Sequence, residues 1–527
     1  MRIFVGSRVL ALLPASAAAN ALAVSSDGRI AAVGQAHALR AAAGPSARIV
    51  DLGGAVIAPG FHDAHVHLSD GALALGALDL RTASSAQDAA ARVAEAARGA
   101  PEGAWIRGWG WDHTRWPAAR WPEAAMLDAV LPERPVLLMH RDGHVVWLNR
   151  AGLRALGISR STPDPEGGSV QRDAATGEPT GILLERAAES ARERLPPPTP
   201  ADRRRAVVEA LGRAAGFGIT SVQDVTEPWA LEVYEEIARE GLLTLRVCAW
   251  LPLAIEEREA DALRKRHPAD HPFLAVGTRK VFLDGTLGSR SAALHAPYAD
   301  EPGSRGVLRL QAQDLREALA AADAAGWAVA MHAIGDRAVT TALDAIEALP
   351  RRPRLCPHRI EHAQVVDPSD LPRLAATGVA VSVQPVHLVE DQGWVEARLG
   401  ASRALRGYPW RSLLRAGATL AFGSDWPTAP LDPRLSLAAA CSRPCCGAQE
   451  RLTPLEATRA YTEGAARACG RGEWLGVLRP GNAADFVALS QDPASLRPDE
   501  IPGSVHVHAS YVAGRRTHPD PEPASLV

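Results

Sequence analysis

The middle of the chain alternates short apolar segments with longer segments rich in alanine, leucine, arginine and glutamate. The short segments are typical of buried strands and the longer ones of helices, so their order predicts a βα rhythm and hence a parallel sheet or barrel. The strand candidates are residues 136–140, 221–224, 276–283, 328–332, 379–384 and 419–423. Residues from about 100 to 200 interrupt this rhythm with many Trp, Pro and Gly, and we interpret them as an inserted α/β subdomain after the first barrel strand.

The two ends of the chain have a different pattern, in which short strands alternate with glycine and aspartate turns. Residues 23–34 contain two strand candidates around the turn Asp27-Gly28, and a turn at Pro480-Gly481 leads into another strand. We therefore predict a small β-sandwich domain built from residues 1–59 and 476–527. Residues 60–475 then form a distorted TIM (β/α)8 barrel.

Composition restricts the partners of such a chain. Its 527 residues suffice for a large catalytic domain and a smaller module, and its formal net charge of −3 gives no electrostatic reason to bind nucleic acid or a membrane. No apolar run reaches the roughly 18 residues that a membrane span needs. We expect a small-molecule substrate, and a homodimer stays open as an oligomeric state.

The cysteines and the N-terminal residues indicate the cellular compartment of the protein. The six cysteines contain no CxxC pair and no evident disulfide framework, which is typical of reduced, intracellular proteins. Residues 9–23 are apolar and alanine-rich like a signal peptide, but they run directly into the predicted hairpin at Asp27-Gly28. We therefore expect the protein in the cytoplasm.

The first candidate for chemistry is the pair His65 and His67, in the segment Pro-Gly-Phe-His-Asp-Ala-His-Val-His. Side chains of a strand alternate between its two faces, so both imidazoles point to the same side and could bind one metal. A bare HxH pattern is common, however. His506 and His508 show the same spacing, and we assign them no function.

Further polar residues end later strand candidates. His332 follows Ala-Val-Ala-Met, His362 closes Arg-Ile-Glu-His, and Asp425 closes Ala-Phe-Gly-Ser-Asp. Because the carboxyl ends of barrel strands converge on one rim, these residues are expected to be neighbours of the HxH pair. Four histidines and an aspartate predict a site for zinc or a similar divalent metal.

Lysine is nearly absent from this chain, since only Lys265 and Lys280 occur among 57 basic residues. Lys280 lies on the strand candidate between the HxH pair and His332. A protonated lysine would be repelled by a dication, whereas a lysine carboxylated by CO2 can bridge two metals, and arginine is too basic to react in this way. The alternative is a lysine paired with a carboxylate. We favour the bridging role because the other ligand candidates accompany it.

Together these segments resemble amidohydrolase family 3, the YtcJ-like branch that includes N-substituted formamide deformylase. The resemblance rests on Pro-Gly-Phe-His-Asp-Ala-His-Val-His, Lys-Val-Phe-Leu-Asp-Gly-Thr-Leu-Gly, His-Ala-Ile-Gly-Asp, Arg-Ile-Glu-His-Ala-Gln and Gly-Ser-Asp-Trp-Pro, in this order. It covers essentially the whole chain.

The resemblance implies a metal-dependent hydrolase of carbon–nitrogen bonds other than peptide bonds, with one or two metal ions. His65, His67 and Asp425 would hold one metal, and His332 and His362 the second. Lys280 would bridge them if carboxylated. Asp425 would also be the general base that takes a proton from the attacking water.

Two questions stay open at this point. His144, Trp111 and Gln384 are candidates for substrate binding, although Trp111 could equally belong to the core of the insertion. The same metal site could also serve an esterase, a lactonase or an isomerase, or belong to a metal-binding protein that has lost catalysis. Loss of Asp425 would be the expected sign of an inactive protein, and Asp425 is present.

Overall fold

The computed structural model of the protein describes residues 1–12, 19–101, 103–117, 120–140, 145–165 and 167–521. The chain forms two compact units. One combines Met1–Gly71 with Val207–Val527, and the other is Ala72–Ala206.

The larger unit contains an eight-stranded parallel sheet, in which each strand pairs with the next one along the chain. We number its strands β1 to β8 in chain order: Phe61–Val66, Ile219–Val225, Arg246–Pro252, Leu274–Phe282, Ala328–Ala333, Arg359–His362, Ala380–Val383 and Thr419–Phe422. The helices that follow the strands bury apolar side chains against the sheet, which is the layering of a (β/α)8 barrel. They are Leu68–Leu75, Pro228–Arg239, Glu257–Arg266, Ala312–Ala324, Asp336–Glu347, Leu371–Thr377, Pro385–Asp391, Val395–Leu399, Ala401–Ala404, Trp410–Ala416, Pro433–Ser442, Pro454–Arg459, Ala460–Gly464 and Ala465–Ala468, with Pro200–Gly216 before β2.

Backbone hydrogen bonds join the end of β8 to the end of β1. The Asp425 amide donates to the His65 carbonyl over 2.7 Å, and the His67 amide donates to the Trp426 carbonyl over 2.9 Å. These bonds close the barrel at its carboxyl rim and place two predicted ligand segments side by side.

Strands from both chain ends form a β-sandwich in the same unit. Its two sheets contain Arg2–Val5, Ala21–Val24, Ile30–Gly34 and Arg48–Asp51, and Arg8–Val9, Val56–Pro59, Phe486–Leu489, Val507–Val512 and Arg515–His518. Val56–Pro59 pairs antiparallel with Phe486–Leu489, so the two ends share a sheet. Phe4 of the first sheet packs against Phe486 and Tyr511 of the second, with ring centroids 4.9 and 5.0 Å apart. Two short helices, Ala36–Ala43 and Ile501–Ser504, complete these segments.

The smaller unit is an α/β subdomain with its own core. Its six strands, in sheet order, are Gly168–Arg172, Pro179–Glu185, Val145–Leu148, Val136–His140, Ile106–Trp111 and Leu78–Asp79. Its helices are Ala86–Gly99, Ala124–Asp128, Arg150–Ala155 and Arg186–Glu193. The barrel, the two-ended sandwich and the inserted subdomain confirm the predicted fold class. Within the part of the chain that the structure describes, we find no helix with the length and apolar character needed to cross a membrane.

Phe486 tests how much the sandwich core contributes to stability. Its side chain is fully buried and stacks on Tyr511 at 4.5 Å. We expect Phe486→Ala to lower the free energy of unfolding by about 3–5 kcal/mol, because it removes a ring from a packed core. Thermal and urea unfolding followed by circular dichroism measure the change, with the exposed Leu455→Ala as the control. Equal midpoints for the two variants would contradict a shared sandwich core.

Candidate metal centre

The predicted ligands meet at the carboxyl rim of the barrel. His65 lies on β1 and His67 directly follows it, while Lys280, His332 and His362 lie at or near the ends of β4, β5 and β6. Asp425 follows β8. The histidines and Asp425 line a cavity of about 380 Å³.

Asp425 is the central residue of this rim. Its Oδ1 atom lies 3.4 Å from His65 Nε2 and 3.3 Å from His67 Nε2, and its Oδ2 atom lies 3.6 Å from His387 Nε2. Two groups of donor atoms share the aspartate, one with His65 and His67 and one with His362 and His387. Each group is compact enough to surround one divalent ion.

The second group differs from the expected one. His332 packs beside His362, with ring centroids 4.4 Å apart, but its Nε2 atom is 3.1 Å from the carbonyl of Gly285. His387 and Asp425 group with His362 here, whereas the resemblance assigned the second metal to His332 and His362. The role of His332 as a ligand therefore stays a prediction, and it requires this imidazole to leave the Gly285 carbonyl.

Lys280 is buried and points into the same rim. Its Nζ atom lies 3.4 Å from His65 Nε2. Burial lowers the pKa of Lys280 to about 8, although Glu361 and Asp425 oppose the shift. A neutral amine is consequently accessible near neutral pH, which is the form that reacts with CO2.

Burial also keeps most of the imidazoles neutral. It lowers the pKa of His65 to about 4 and that of His332 to about 3, in both cases helped by the charge of Lys280. Burial also lowers the pKa values of His362 and His387. Neutral imidazole is the form that binds a metal, so His65, His332 and His362 are suited as nitrogen ligands, while neutral His387 keeps a ring proton that it can donate.

His67 and Asp425 behave as a charged pair instead. Burial acts to lower the pKa of His67, but hydrogen bonding to Asp425 and Asp70 outweighs it and raises the value to about 9. Burial likewise opposes ionisation of Asp425, but contact with His67 holds the pKa of this carboxyl well below its usual range. A bound dication would replace the proton of His67. The donor set of neutral imidazoles around an ionised carboxylate therefore fits zinc or a similar metal.

The comparison with known proteins decides the family. The model of the amidohydrolase family matches residues 48–518. The chain belongs to this family. It is 33% identical to the putative amidohydrolase YtcJ of Bacillus subtilis, over 90% of this chain and 92% of that protein.

Two further proteins are similar to this chain over most of their length. The chain is 29% identical to N-substituted formamide deformylase of Arthrobacter pascens, over 93% of each protein. An uncharacterized metal-dependent hydrolase from Pyrococcus furiosus superimposes with a TM-score of 0.78 at 31% identity, covering 94% of this chain and 99% of that one. The predicted resemblance is confirmed, and this amidohydrolase is a metal-dependent hydrolase.

A buried ion pair behind the rim orients the first ligand of the amidohydrolase. His65 Nδ1 lies 2.6 Å from Glu361 Oε2, which holds the proton on Nδ1 and turns Nε2 toward Asp425. Arg359 contacts Glu361 through two nitrogens and also donates to the Ala64 carbonyl over 2.7 Å. All these side chains are almost completely buried.

Gln384 orients a second ligand. His362 Nδ1 lies 2.8 Å from Gln384 Oε1, so it donates to the amide oxygen and leaves Nε2 for the cavity. The predicted substrate contact of Gln384 stays a prediction, because its observed partner is His362.

Trp111 lies in the core of the inserted subdomain, and its indole nitrogen donates to the Leu138 carbonyl. These contacts are those of a core residue, and the predicted substrate contact of Trp111 stays a prediction. His144 lies outside the described residues.

Two rim residues have a left-handed backbone, His362 with φ 75° and Asp425 with φ 57°. Such a conformation costs roughly 1–3 kcal/mol in a residue other than glycine and persists where the surrounding structure enforces it. Here the closure of the barrel and the contacts of each side chain enforce it. Two of the predicted ligands therefore carry backbone strain.

The sequence interpretation missed the role of Arg359 and Glu361. A signal was present, since Arg359 and Glu361 are two residues apart on one strand and two charges on the same face of a buried strand need partners. It also did not commit to His387, which is not at a strand end but in the helix Pro385–Asp391 that follows β7.

Glu361 offers a test of ligand orientation. We expect Glu361→Gln to weaken metal binding by about 10–100-fold, because a neutral amide holds the Nδ1 proton of His65 less strongly. Dialysis against buffered zinc measures the affinity. Asp485→Asn is the matched control, since Asp485 is a buried carboxylate paired with Arg246 at 2.6 Å. Equal losses in both variants would assign the effect to general destabilisation.

Proposed function

We propose that this amidohydrolase hydrolyses carbon–nitrogen bonds other than peptide bonds, in small amides or N-substituted formamides. The observation that carries the proposal is the ionised carboxylate of Asp425, which lies within 3.6 Å of three imidazoles at the floor of the cavity. The similarity to N-substituted formamide deformylase supports the substrate class.

Asp425 acts as the general base. A divalent metal held by His65, His67 and Asp425 would lower the pKa of water and polarise the scissile carbonyl. Asp425 accepts the proton of the attacking water on a carboxylate oxygen and then delivers it to the nitrogen of the leaving amine. Contact with His67 keeps this carboxylate ionised before a metal binds, and the charge of a bound metal would keep it ionised afterwards.

His387 is placed to donate to the reacting group. Gln364 Nε2 lies 3.5 Å from His387 Nδ1, and this amide donor leaves the proton of the neutral ring on Nε2. Among the described residues, Nε2 has no hydrogen-bond partner and faces Asp425. An N–H in this position would stabilise negative charge that develops on the carbonyl oxygen.

The cavity wall favours an apolar substituent. Phe282, Leu287 and Trp394 line it opposite the polar floor. A mostly apolar wall with a few polar groups is typical of small-molecule sites. The acyl group would therefore lie against Asp425 and His387, and an aliphatic or aromatic amine substituent would contact the wall.

A substrate panel tests this proposal. We expect the zinc-loaded protein to release amines from N-substituted formamides and simple amides, measured by amine-specific derivatisation. Asp425→Asn should lower turnover by at least about 100-fold, the usual scale for a general base, while circular dichroism stays unchanged. Hydrolysis of matched esters but not of any amide would contradict the proposed bond type, and full activity of the variant would place the base elsewhere.

We also propose that Lys280 is carboxylated and that its carbamate would hold two divalent metal ions together. The neutral amine attacks the carbon of CO2, a carbamate forms and one proton is released. The burial of Lys280, its distance of 3.4 Å from His65 and its lowered pKa support this step. The product carries one negative charge on two oxygens, which would reduce the mutual repulsion of the ions.

Lys280 variants test the bridge. We expect Lys280→Arg to lose metal and activity together, because arginine cannot form the carbamate. Lys280→Ala should regain part of both when short carboxylic acids are added. The matched control is Lys265→Arg, which changes the other, exposed lysine of the chain. Full metal content in Lys280→Arg, measured by inductively coupled plasma mass spectrometry, would exclude the bridging role.

A further inference from the structure

The inserted subdomain repeats, on a small scale, the geometry that builds the barrel rim. Its strands Ile106–Trp111 and Val136–His140 are parallel neighbours, and Trp111 is opposite His140 in the register. The carboxyl ends of both strands therefore lie at the same edge of the sheet. Asp112 and His113 directly follow the first strand, and His140 ends the second.

These three side chains converge. The donor atoms of Asp112, His113 and His140 all lie within 4.8 Å of one another. His140 Nε2 is 3.7 Å from Asp112 Oδ1, which is longer than a hydrogen bond. Two ligands bound to one tetrahedral zinc at about 2.0–2.2 Å lie about 3.4 Å apart, so a small contraction would bring this pair into coordination distance.

Aromatic neighbours restrict both imidazoles. The His113 ring stacks on Trp121 with centroids 3.8 Å apart, and the His140 ring meets the edge of Trp111 at 4.7 Å. Fixed ligand side chains lose little conformational entropy when an ion binds. The side chains of His140 and Asp112 are only 9% and 16% exposed, so few water molecules compete for the same contacts.

Asp112 also caps a short helix at this edge of the sheet. Its Oδ1 atom accepts from the amide and the hydroxyl of Thr114, over 3.0 and 2.6 Å, and so caps the short helix His113–Arg115.

We propose that Asp112, His113 and His140 form a metal site in the inserted subdomain, selective for zinc and related transition metals. Two imidazoles and one carboxylate are the donors that zinc prefers, whereas calcium and magnesium prefer oxygen alone. Such an ion would tie the two parallel strands together at their ends. The site does not depend on the reaction proposed for the barrel.

Metal stoichiometry of the full-length protein tests the proposal. The protein is stripped with a chelator, dialysed against buffered Zn2+, and bound zinc per chain is measured by mass spectrometry. We expect Asp112→Asn and His113→Phe each to bind one equivalent less than the unchanged protein. Asparagine keeps the cap on Thr114 and phenylalanine keeps the stack on Trp121, so both variants are designed to fold.

Two further measurements make the result decisive. The double variant His506→Ala/His508→Ala removes the exposed HxH pair of the sandwich and should bind as much zinc as the unchanged protein. Cobalt titration should show visible absorption that is weaker by one site's share in His140→Leu than in the unchanged protein, because the barrel centre still binds cobalt. Equal zinc content in Asp112→Asn, His113→Phe and the unchanged protein would overturn the site. So would loss of the same equivalent in the His506/His508 variant, because it would indicate surface binding.

Discussion

The end of strand β8 is held against the end of β1 by hydrogen bonds from the Asp425 amide to the His65 carbonyl and from the His67 amide to the Trp426 carbonyl. The approach is so close that a side chain at Gly423 would meet the His65 backbone at 2.5 Å, which only glycine allows. This closure brings residues more than 350 positions apart in the sequence into contact. The left-handed backbone of Asp425 follows from the same constraint.

The buried charges of the rim form a layered arrangement. Asp425 lines the cavity and Lys280 lies beside His65, while Glu361 and Arg359 lie behind His65. An isolated buried charge would be strongly destabilising, but each of these groups has an opposite charge or a hydrogen-bond donor beside it. Glu361, itself held by Arg359, therefore fixes the orientation and protonation of His65. Substitution of Glu361 or Arg359 therefore affects metal binding at the rim, although neither residue is a predicted ligand.

The two HxH segments of this chain show the limit of local patterns. His65 and His67 end a barrel strand, and His65 has no exposed surface. His506 and His508 have the same spacing but are exposed at the strand Val507–Val512 of the sandwich. The difference lies in the neighbours, since only β1 has Asp425, Lys280 and His362 within reach. A metal site requires several chain segments, and a single segment cannot reveal it.

The sequence alone determined the fold class, because the periodicity of strands and helices depends on local chemistry. It also determined which residues would meet at the rim, because the carboxyl ends of parallel barrel strands lie at the same edge. Lys280 was also recognisable, since lysine is so rare in this chain. Only the tertiary structure showed that His387 lies beside Asp425, that His332 contacts Gly285, and that Gln384 and Glu361 orient His362 and His65. The physical reason is that these contacts depend on side-chain direction and on helices that follow the strands, and both are set by packing across the barrel.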